Sequence, residues 1–234
     1  MLLLRSLLYF VGSIISLILI SFSGLLLIFA SYPTRQKYLS QWAIFCMWWL
    51  KITLNIKTNV VGRENIINSS CIIISNHQST WETLAFQTIF PAHTWVLKRE
   101  LLWLPVFGWS LALLKPIIIN RGEKLNAIKK VIKQGADRLE KGISIVIYPE
   151  GTRQPYKKLG VYQNGGSAIA KKTGYSIVPV YHNAGKIWPK GSFIKKPGVI
   201  TVVIGEAISQ SNLKPSEVTE NIRQWTLEQE SKFN

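Results

Sequence analysis

Residues 71–86, CIIISNHQSTWETLAF, decide the fold of this chain. Four apolar residues and a serine lead into Asn-His-Gln-Ser, and a segment that reads as a helix follows. An apolar run of this length, bounded by polar residues, is typical of a strand buried on both faces of a parallel sheet. The stretch also places one of the chain's three histidines, His77, directly after the strand, with the carboxylate of Glu82 five residues further on.

The alternation of short apolar runs with longer mixed segments continues along the chain from Gly62. Further strands are predicted at 94–98, 116–119, 143–148, 176–180 and 199–204, and helices at 79–90, 123–140, 167–173 and 215–231. Strands that alternate with helices in this way predict an α/β domain with a mostly parallel central sheet flanked by helices.

The amino-terminal part has a different composition. No charged residue lies between Arg5 and Arg35. This segment is long enough to span a bilayer or to lie in it as a helical hairpin, and it is too long for the apolar part of a cleavable signal peptide. A second helix at 38–56 carries three tryptophans, which favours the headgroup level of a membrane, although the same aromatic residues could pack on the domain behind them. We therefore expect membrane-associating helices over 1–60 and the α/β domain over 61–234.

The charge balance limits the classes of molecule that the protein is expected to bind. Lys and Arg number 28 against 12 Asp and Glu, a formal net charge of +16. Such an excess suits nucleic acid, a phospholipid surface or a phosphorylated ligand. No basic segment with the interleaved aromatic residues of a known nucleic-acid module is present, so we expect a lipid and phosphate partner and no nucleic acid. The two cysteines, Cys46 and Cys71, indicate neither a disulfide framework nor a metal cluster.

Polar side chains follow four of the predicted strands, where ligands of parallel sheets bind. Asn76 and His77 follow the first strand, and Lys98, Arg99 and Glu100 follow the second. The third strand is followed by Asn120 and Arg121, and the fourth by Glu150, Gly151, Thr152 and Arg153. One imidazole would then be surrounded by several cations and a glycine turn.

These blocks, in this order, resemble the motifs of the glycerolipid acyltransferase family, and most closely those of the bacterial 1-acylglycerol-3-phosphate (lysophosphatidic acid) acyltransferases. That family shows a His followed five positions later by Asp, then Lys-x-Glu-Leu, Phe-Ile-x-Arg, Phe-Pro-Glu-Gly-Thr-Arg and a Val-Pro-Val strand. The corresponding blocks here are HQSTWE from His77 to Glu82, KREL from Lys98, IINR ending at Arg121, YPEGTR from Tyr148 to Arg153, and IVPV at 177–180. Glu82 stands where Asp is commoner, Asn120 where Asp is frequent, and Tyr148 and Gln154 where Phe and Ser are usual.

The resemblance implies transfer of a fatty acyl group from an acyl thioester to the free hydroxyl of 1-acylglycerol-3-phosphate, without a cofactor or metal. His77 would be the general base, because an alcohol is a poor nucleophile at neutral pH, and Glu82 would orient and stabilise the imidazole. The resemblance assigns the acceptor phosphate to Lys98, Arg121, Glu150, Gly151, Thr152 and Arg153. The donor, acyl-CoA or acyl carrier protein, is a co-substrate that the sequence leaves open. We expect the protein at the cytoplasmic (inner) membrane, with the catalytic domain facing the cytoplasm.

Several alternatives compete with this interpretation. The acceptor could be another lysolipid, such as a lyso-ornithine lipid, or the chain could be an inactive lipid-binding relative. Ser79 as a nucleophile lacks a Gly-x-Ser-x-Gly elbow, and a metal site of His77, Glu82 and His93 lacks the His-Glu-x-x-His spacing. A purely structural account is also open for Glu82. Ser79 and Glu82 have the spacing of a capping box, in which each side chain would accept a hydrogen bond from the other residue's amide.

Overall fold

The chain forms a seven-stranded sheet covered by helices on both faces. The computed structural model describes residues 1–119, 124–209 and 212–233. The strands are β1 (Ile56–Val61), β2 (Ile72–Ser75), β3 (His93–Lys98), β4 (Ile117–Ile119), β5 (Ser144–Ile147), β6 (Ile177–His182) and β7 (Gly198–Ile204). The helices are α1 (Leu2–Leu25), α2 (Tyr32–Leu54), α3 (Trp81–Ile89), α4 (Phe107–Leu113), α5 (Lys124–Glu140), α6 (Gly165–Thr173) and α7 (Pro215–Lys232).

The strand order across the sheet is β1-β7-β6-β2-β5-β3-β4. Among the described strands every neighbouring pair is parallel except β6 and β7. This arrangement confirms the predicted α/β class with its mostly parallel sheet. The central strand β2 is buried at all four residues, as its continuous apolar sequence predicts.

Two hydrophobic cores lie on opposite faces of the sheet. Side chains of β2 alternate between them, because Ile73 packs with the core under α2, α3 and α4, whereas Ile72 and Ile74 pack with the core under α5, α6 and α7. The period of two along the strand produces this division. Because β2, β3 and β5 run parallel, their carboxyl ends meet at the same edge of the sheet, between the two layers of helices.

The two amino-terminal helices form a hairpin. Small residues of α1 face α2, and a Cβ on Gly12 would lie 2.3 Å from Nε1 of Trp49. The indole N–H groups of Trp42 and Trp49 donate to the backbone oxygens of Ser13 and Leu8, at 3.0 and 3.1 Å. Small side chains thus let the two helices approach closely. Among the described residues, α1 is the one helix long and apolar enough to cross a membrane.

α1 also contacts the α/β domain near both of its ends. The hydroxyl of Ser6 accepts a hydrogen bond from the amide of Lys195 at 3.2 Å, and the hydroxyl of Ser21 lies 3.0 Å from that of Ser110 in α4. Between them, the ring of Tyr9 packs edge-on against Trp188. The helix therefore lies along the domain instead of projecting from it.

Several element boundaries differ from those predicted. α2 begins at Tyr32, where Ser31 and a proline start the helix, and not at residue 38. Both β1 and α4 lack a predicted counterpart, and the expected domain boundary at 60/61 falls inside β1. The predicted Asn120 and Arg121 lie outside the described residues.

Candidate active site

His77 lies between β2 and α3, and its imidazole is paired with Glu82. Nδ1 of His77 lies 2.7 Å from Oε1 of Glu82, and the His77 side chain is 19% exposed whereas that of Glu82 is fully buried. The ring of Tyr148 stacks on the imidazole with centroids 4.2 Å apart and an angle of 12° between the planes. The hydrogen-bonded Glu82 carboxylate and the stacked Tyr148 ring together set the orientation of the imidazole.

The Glu82 carboxylate also holds the backbone that leads into α3. Its Oε1 accepts hydrogen bonds from the amides of Gln78 and Ser79, at 2.9 and 2.8 Å. The predicted capping box is therefore half correct, because the Ser79 hydroxyl accepts from the amide of Trp81 and not from that of Glu82. Burial by itself would raise the pKa of Glu82, but His182, His77 and the amide of Ser79 together lower the pKa below its usual value. Glu82 is thus ionised at neutral pH.

A second buried histidine supports this loop. His182 lies at the end of β6, with Nε2 3.8 Å from Oε1 of Glu82. This nitrogen donates to the backbone oxygen of Asn76 at 2.9 Å, and the Asn76 side chain in turn bonds to the backbone of His182 in both directions. The backbone just before His77 is therefore tied to the neighbouring strand. Burial lowers the pKa of His182.

Glu150 occupies a half-buried position behind His77. Its Oε2 accepts a hydrogen bond from the amide of His77 at 2.9 Å. Burial, with a further contribution from the nearby Glu82, raises the pKa of Glu150 to about 8. Glu150 is not among the residues that line the cleft described next. This position favours support of the His77 loop over the phosphate contact that the sequence suggested.

A cleft of about 460 Å³ opens beside His77 at the carboxyl ends of the strands. Of the predicted site residues, His77, Lys98, Gly151, Thr152 and Arg153 line it. Nη1 of Arg153 donates to the hydroxyl of Thr80 at 2.8 Å, which holds the guanidinium at the cleft. The position of Arg121 at this site stays a prediction.

The rest of the cleft wall is largely apolar. Aromatic and aliphatic side chains from α2, α3, β3, the segment after β3 and α4 contribute to it, among them Trp42, Leu84, Trp95, Leu101, Phe107 and Leu111. The cleft thus combines a cationic and glycine-containing rim, one imidazole and an extended apolar wall. This combination suits a ligand that has both a phosphate and a hydrocarbon chain.

The other two candidates considered from the sequence lie elsewhere. Ser79 is fully buried and does not line the cleft. His93 begins β3, at the opposite end of that strand from the cleft, and burial lowers its pKa to about 4. Within the described ranges, no group of three or more His, Cys, Asp or Glu side chains is arranged to hold a metal ion.

Two contributors to the site, His182 and Lys190, were missed by sequence reasoning. Asn76 was expected near the site, but its partner His182 lies 106 residues later in the chain, so nothing in their spacing relates them. Lys190 is exposed, and its Nζ donates to the backbone oxygen of Arg153 at 3.1 Å. His182 closely follows the Val-Pro-Val run, but the sequence does not reveal that β6 lies beside β2.

Comparison with known proteins relates this chain to a family. The family model described as Acyltransferase matches residues 57–183. A 1-acyl-sn-glycerol-3-phosphate acyltransferase of Pseudomonas aeruginosa is 44% identical over 80% of this chain and 74% of its own length. A chloroplastic protein of the same name from Brassica napus is 31% identical over 65% of this chain, which spans 45% of that longer protein.

A solved structure shares the fold. The crystal structure of the 1-acyl-sn-glycerophosphate acyltransferase from Thermotoga maritima superposes with a TM-score of 0.82, covering 98% of this chain and 95% of that one. Its sequence identity is 22%. The similarity therefore extends through the amino-terminal helices as well as the sheet.

Proposed function

Because this chain belongs to the Acyltransferase family, we propose that it transfers a fatty acyl group from an acyl thioester to the free hydroxyl of 1-acylglycerol-3-phosphate, giving phosphatidic acid. The observation that carries the proposal is the His77–Glu82 pair at a cleft with a cationic rim and an apolar wall. The proposed acceptor is taken from the relatives, which are named 1-acyl-sn-glycerol-3-phosphate acyltransferases.

In the proposed reaction His77 is the general base. Its Nδ1–H donates to Glu82, so the lone pair resides on Nε2 and can accept the hydroxyl proton of the acceptor. The alcohol oxygen attacks the thioester carbonyl, the C–O bond forms, and the C–S bond breaks as the tetrahedral intermediate collapses. The imidazolium returns its proton to the departing sulfur. The buried Glu82 carboxylate stabilises that imidazolium, as the carboxylate of a catalytic triad does.

The acceptor phosphate is assigned to the rim of the cleft. Arg153 offers a planar fork for bidentate contacts, Lys98 a more mobile charge, and the Gly151–Thr152 backbone a close approach. Arg121 is a further predicted ligand from the sequence. The acyl chains would lie along the apolar wall.

Membrane attachment through α1 is part of the proposal. The acceptor and product hold their acyl chains in a bilayer, and α1 exposes many apolar side chains that no part of the described chain covers. We place the protein at the cytoplasmic membrane with its cleft toward the cytoplasm, because acyl-CoA and acyl carrier protein are the donors that the resemblance implies.

One experiment tests this function. Purified protein in detergent is incubated with 1-oleoylglycerol-3-phosphate and with oleoyl or palmitoyl thioesters of coenzyme A and of acyl carrier protein, and phosphatidic acid is measured. We expect product with at least one carrier and none with the His77→Ala protein. Parallel reactions contain a lyso-ornithine lipid and lysophosphatidylcholine. Acylation of one of these alone would contradict the proposed acceptor, and the absence of acyl transfer to every acceptor would contradict the activity.

A further inference from the structure

The segment between β3 and β4 exposes an apolar patch. Leu101, Trp103, Leu104 and Trp109 are 39%, 69%, 48% and 50% exposed, respectively. We call these four residues the β3–β4 patch. They belong to the short 3-10 helix Arg99–Trp103, the turn after it, and α4. Two tryptophans at least half exposed within a few residues of each other are an apolar surface of the kind that marks an interaction site.

The patch adjoins the mouth of the cleft. Leu101 belongs both to the patch and to the cleft wall, and Phe107 and Leu111 of the same segment also line the cleft. Whatever covers the patch is therefore placed directly beside the entrance through which an acyl chain would pass.

The patch also adjoins α1. Ser110 of α4 contacts Ser21 of α1, and side chains of both helices, among them Leu17 and Leu111, line a small recess between them. Ser21 is four residues from the end of α1, which is about 6 Å along the helix axis. Leu19 and Phe22, near this position in α1, are 64% and 54% exposed. Two neighbouring elements thus present apolar side chains to solvent.

Basic residues outnumber acidic ones on the two flanks of the patch in the sequence. Exposed Lys98 and Arg99 precede it together with one exposed carboxylate, Glu100, and the half-buried Lys115 follows α4. Tryptophan prefers the headgroup level of a bilayer, and Lys or Arg near anionic headgroups adds about 1 kcal/mol each. An apolar patch with tryptophans and nearby basic residues is better suited to contact with a lipid surface than to contact with another protein.

We propose that the β3–β4 patch is a second membrane contact, separate from α1, which inserts at headgroup level and holds the mouth of the cleft against the bilayer. The inference rests on the membrane attachment through α1 proposed above. It gives the acyl chains of acceptor and product a route between bilayer and cleft wall that does not cross water.

The test measures the depth of single labelled sites in a bilayer. Trp103→Cys, Leu19→Cys and Asn221→Cys proteins are labelled with an environment-sensitive fluorophore, and unsubstituted protein, whose two cysteines are buried, is treated in parallel. Each is placed in nanodiscs of phosphatidylethanolamine and phosphatidylglycerol that contain a lipid with a spin-label quencher at headgroup level. Leu19 is the positive control on α1. Asn221 is exposed on α7, which covers the opposite face of the sheet, and is the matched negative control.

We expect the Trp103 probe to be quenched as strongly as the Leu19 probe and several-fold more than the Asn221 probe. Quenching at Leu19 with Trp103 no different from Asn221 would overturn the inference while leaving attachment through α1 intact. No quenching at either site would overturn both. A Trp103 probe that is shielded from water but not quenched by lipid would indicate contact with protein, such as a second copy, and would also overturn the inference.

A kinetic arm uses substitutions outside the cleft. Trp103→Glu with Trp109→Glu should lower turnover of a long-chain acceptor in vesicles by about tenfold and leave turnover of a short-chain, water-soluble acceptor within about twofold. An equal loss for both acceptors, with unchanged thermal melting, would contradict a role in membrane contact.

Discussion

At the residue scale, one oxygen of Glu82 has three hydrogen-bonding neighbours. Oε1 contacts Nδ1 of His77 and accepts from the amides of Gln78 and Ser79. The start of the helix and the orientation of the imidazole therefore depend on the same atom. The structural and the catalytic accounts of Glu82 are both compatible with this geometry, and only its charge separates them.

Glu82→Gln separates the two accounts. A glutamine oxygen can still accept the amide hydrogen bonds, but it cannot stabilise an imidazolium by charge. We expect a melting temperature within about 5 °C of wild type and a turnover lower by about two orders of magnitude or more. His77→Ala should be at least as inactive. If Glu82→Gln keeps most of the wild-type turnover while His77→Ala does not, Glu82 is a helix cap alone.

Arg153→Ala tests the assignment of the phosphate. Loss of a charge-assisted, forked contact costs about 1.5 to 3 kcal/mol, so the KM for the lysolipid should rise by roughly ten- to a hundredfold. The KM for the thioester should change little. Arg153→Lys, which keeps the charge but not the fork, should be intermediate. A rise confined to the thioester would assign Arg153 to the donor instead.

Glu150 should make stability depend on pH in an unusual direction for a carboxyl group. Its pKa of about 8 in the fold lies above the ordinary value for an unfolded chain, so the folded state binds the extra proton between these two pKa values. The free energy of unfolding should therefore fall as pH rises from about 4.5 to about 8. Glu150→Gln removes this contribution while keeping the acceptor for the His77 amide.

The measurement compares the melting temperatures of wild type and Glu150→Gln across that pH range. The difference between the proteins should shift steadily in favour of the glutamine variant as pH increases. Parallel curves would show that the carboxyl of Glu150 titrates alike in the folded and unfolded states.

At the scale of elements, the strands with continuous apolar runs were predictable, including β4 at one edge of the sheet, whereas β1 at the other edge was not. β1 reads IKTNVV, with four of its six residues exposed, so it lacks the run that reveals β2 and β5. Its pairing with β7, which lies over a hundred residues later, supplies what its own composition does not. α4 was missed for a related reason, since seven residues are too few for a helical period to be distinct.

The turn after β1 offers a test of how the edge strand is held. Gly62 has a φ of 79°, and a Cβ there would lie 2.2 Å from the backbone oxygen of Ile204. Gly142 has a similar φ of 73° with no atom within 4 Å of the added carbon. Gly142→Ala should cost about 1 kcal/mol through backbone strain alone, and Gly62→Ala should cost at least about 2 kcal/mol more because the strand must shift.

Urea unfolding of both variants checks this difference. Equal losses in the two proteins would mean that the contact with β7 yields easily and that β1 is not held by this turn.

At the scale of the whole molecule, the residues at the carboxyl ends of the strands were predictable site residues, because ligands of parallel sheets bind there. Lys98 and Arg153 follow strands β3 and β5, and the structure brings both to the cleft beside His77. The contact between the buried Asn76 and His182 was not predictable, because it depends on which strands are neighbours. The contact of Glu150 with the His77 amide was equally unpredictable, since the motif is the same whether the side chain faces the ligand or the His77 loop.

The exposed face of α1 should determine whether the protein sediments with membranes. Leu8, Ile15 and Leu19 are about half or more exposed, so their replacement by Glu leaves the interior of the protein unchanged. We expect the triple variant to move from the membrane pellet to the supernatant, with any remaining binding sensitive to salt, because surface charge is screened over about 8 Å at physiological ionic strength.

The control for that experiment is Leu213→Glu, an exposed leucine just before α7. It should remain in the pellet like the wild type. Retention of the triple variant after a high-salt wash would mean that another segment is the main anchor.

The contacts of α1 near both ends bear on how the protein reaches a membrane in the cell. Ser6 and Ser21 touch the domain at points about 22 Å apart along the helix, whereas the hydrocarbon core of a bilayer is about 30 Å thick. Upright insertion of α1 would carry part of the charged domain into hydrocarbon or break these contacts. For the attachment proposed here, we therefore expect α1 to lie sideways in one leaflet, so that Arg5 need not cross the bilayer. With that orientation no segment has to be translocated, so we expect the protein to reach its membrane after synthesis without a translocation channel.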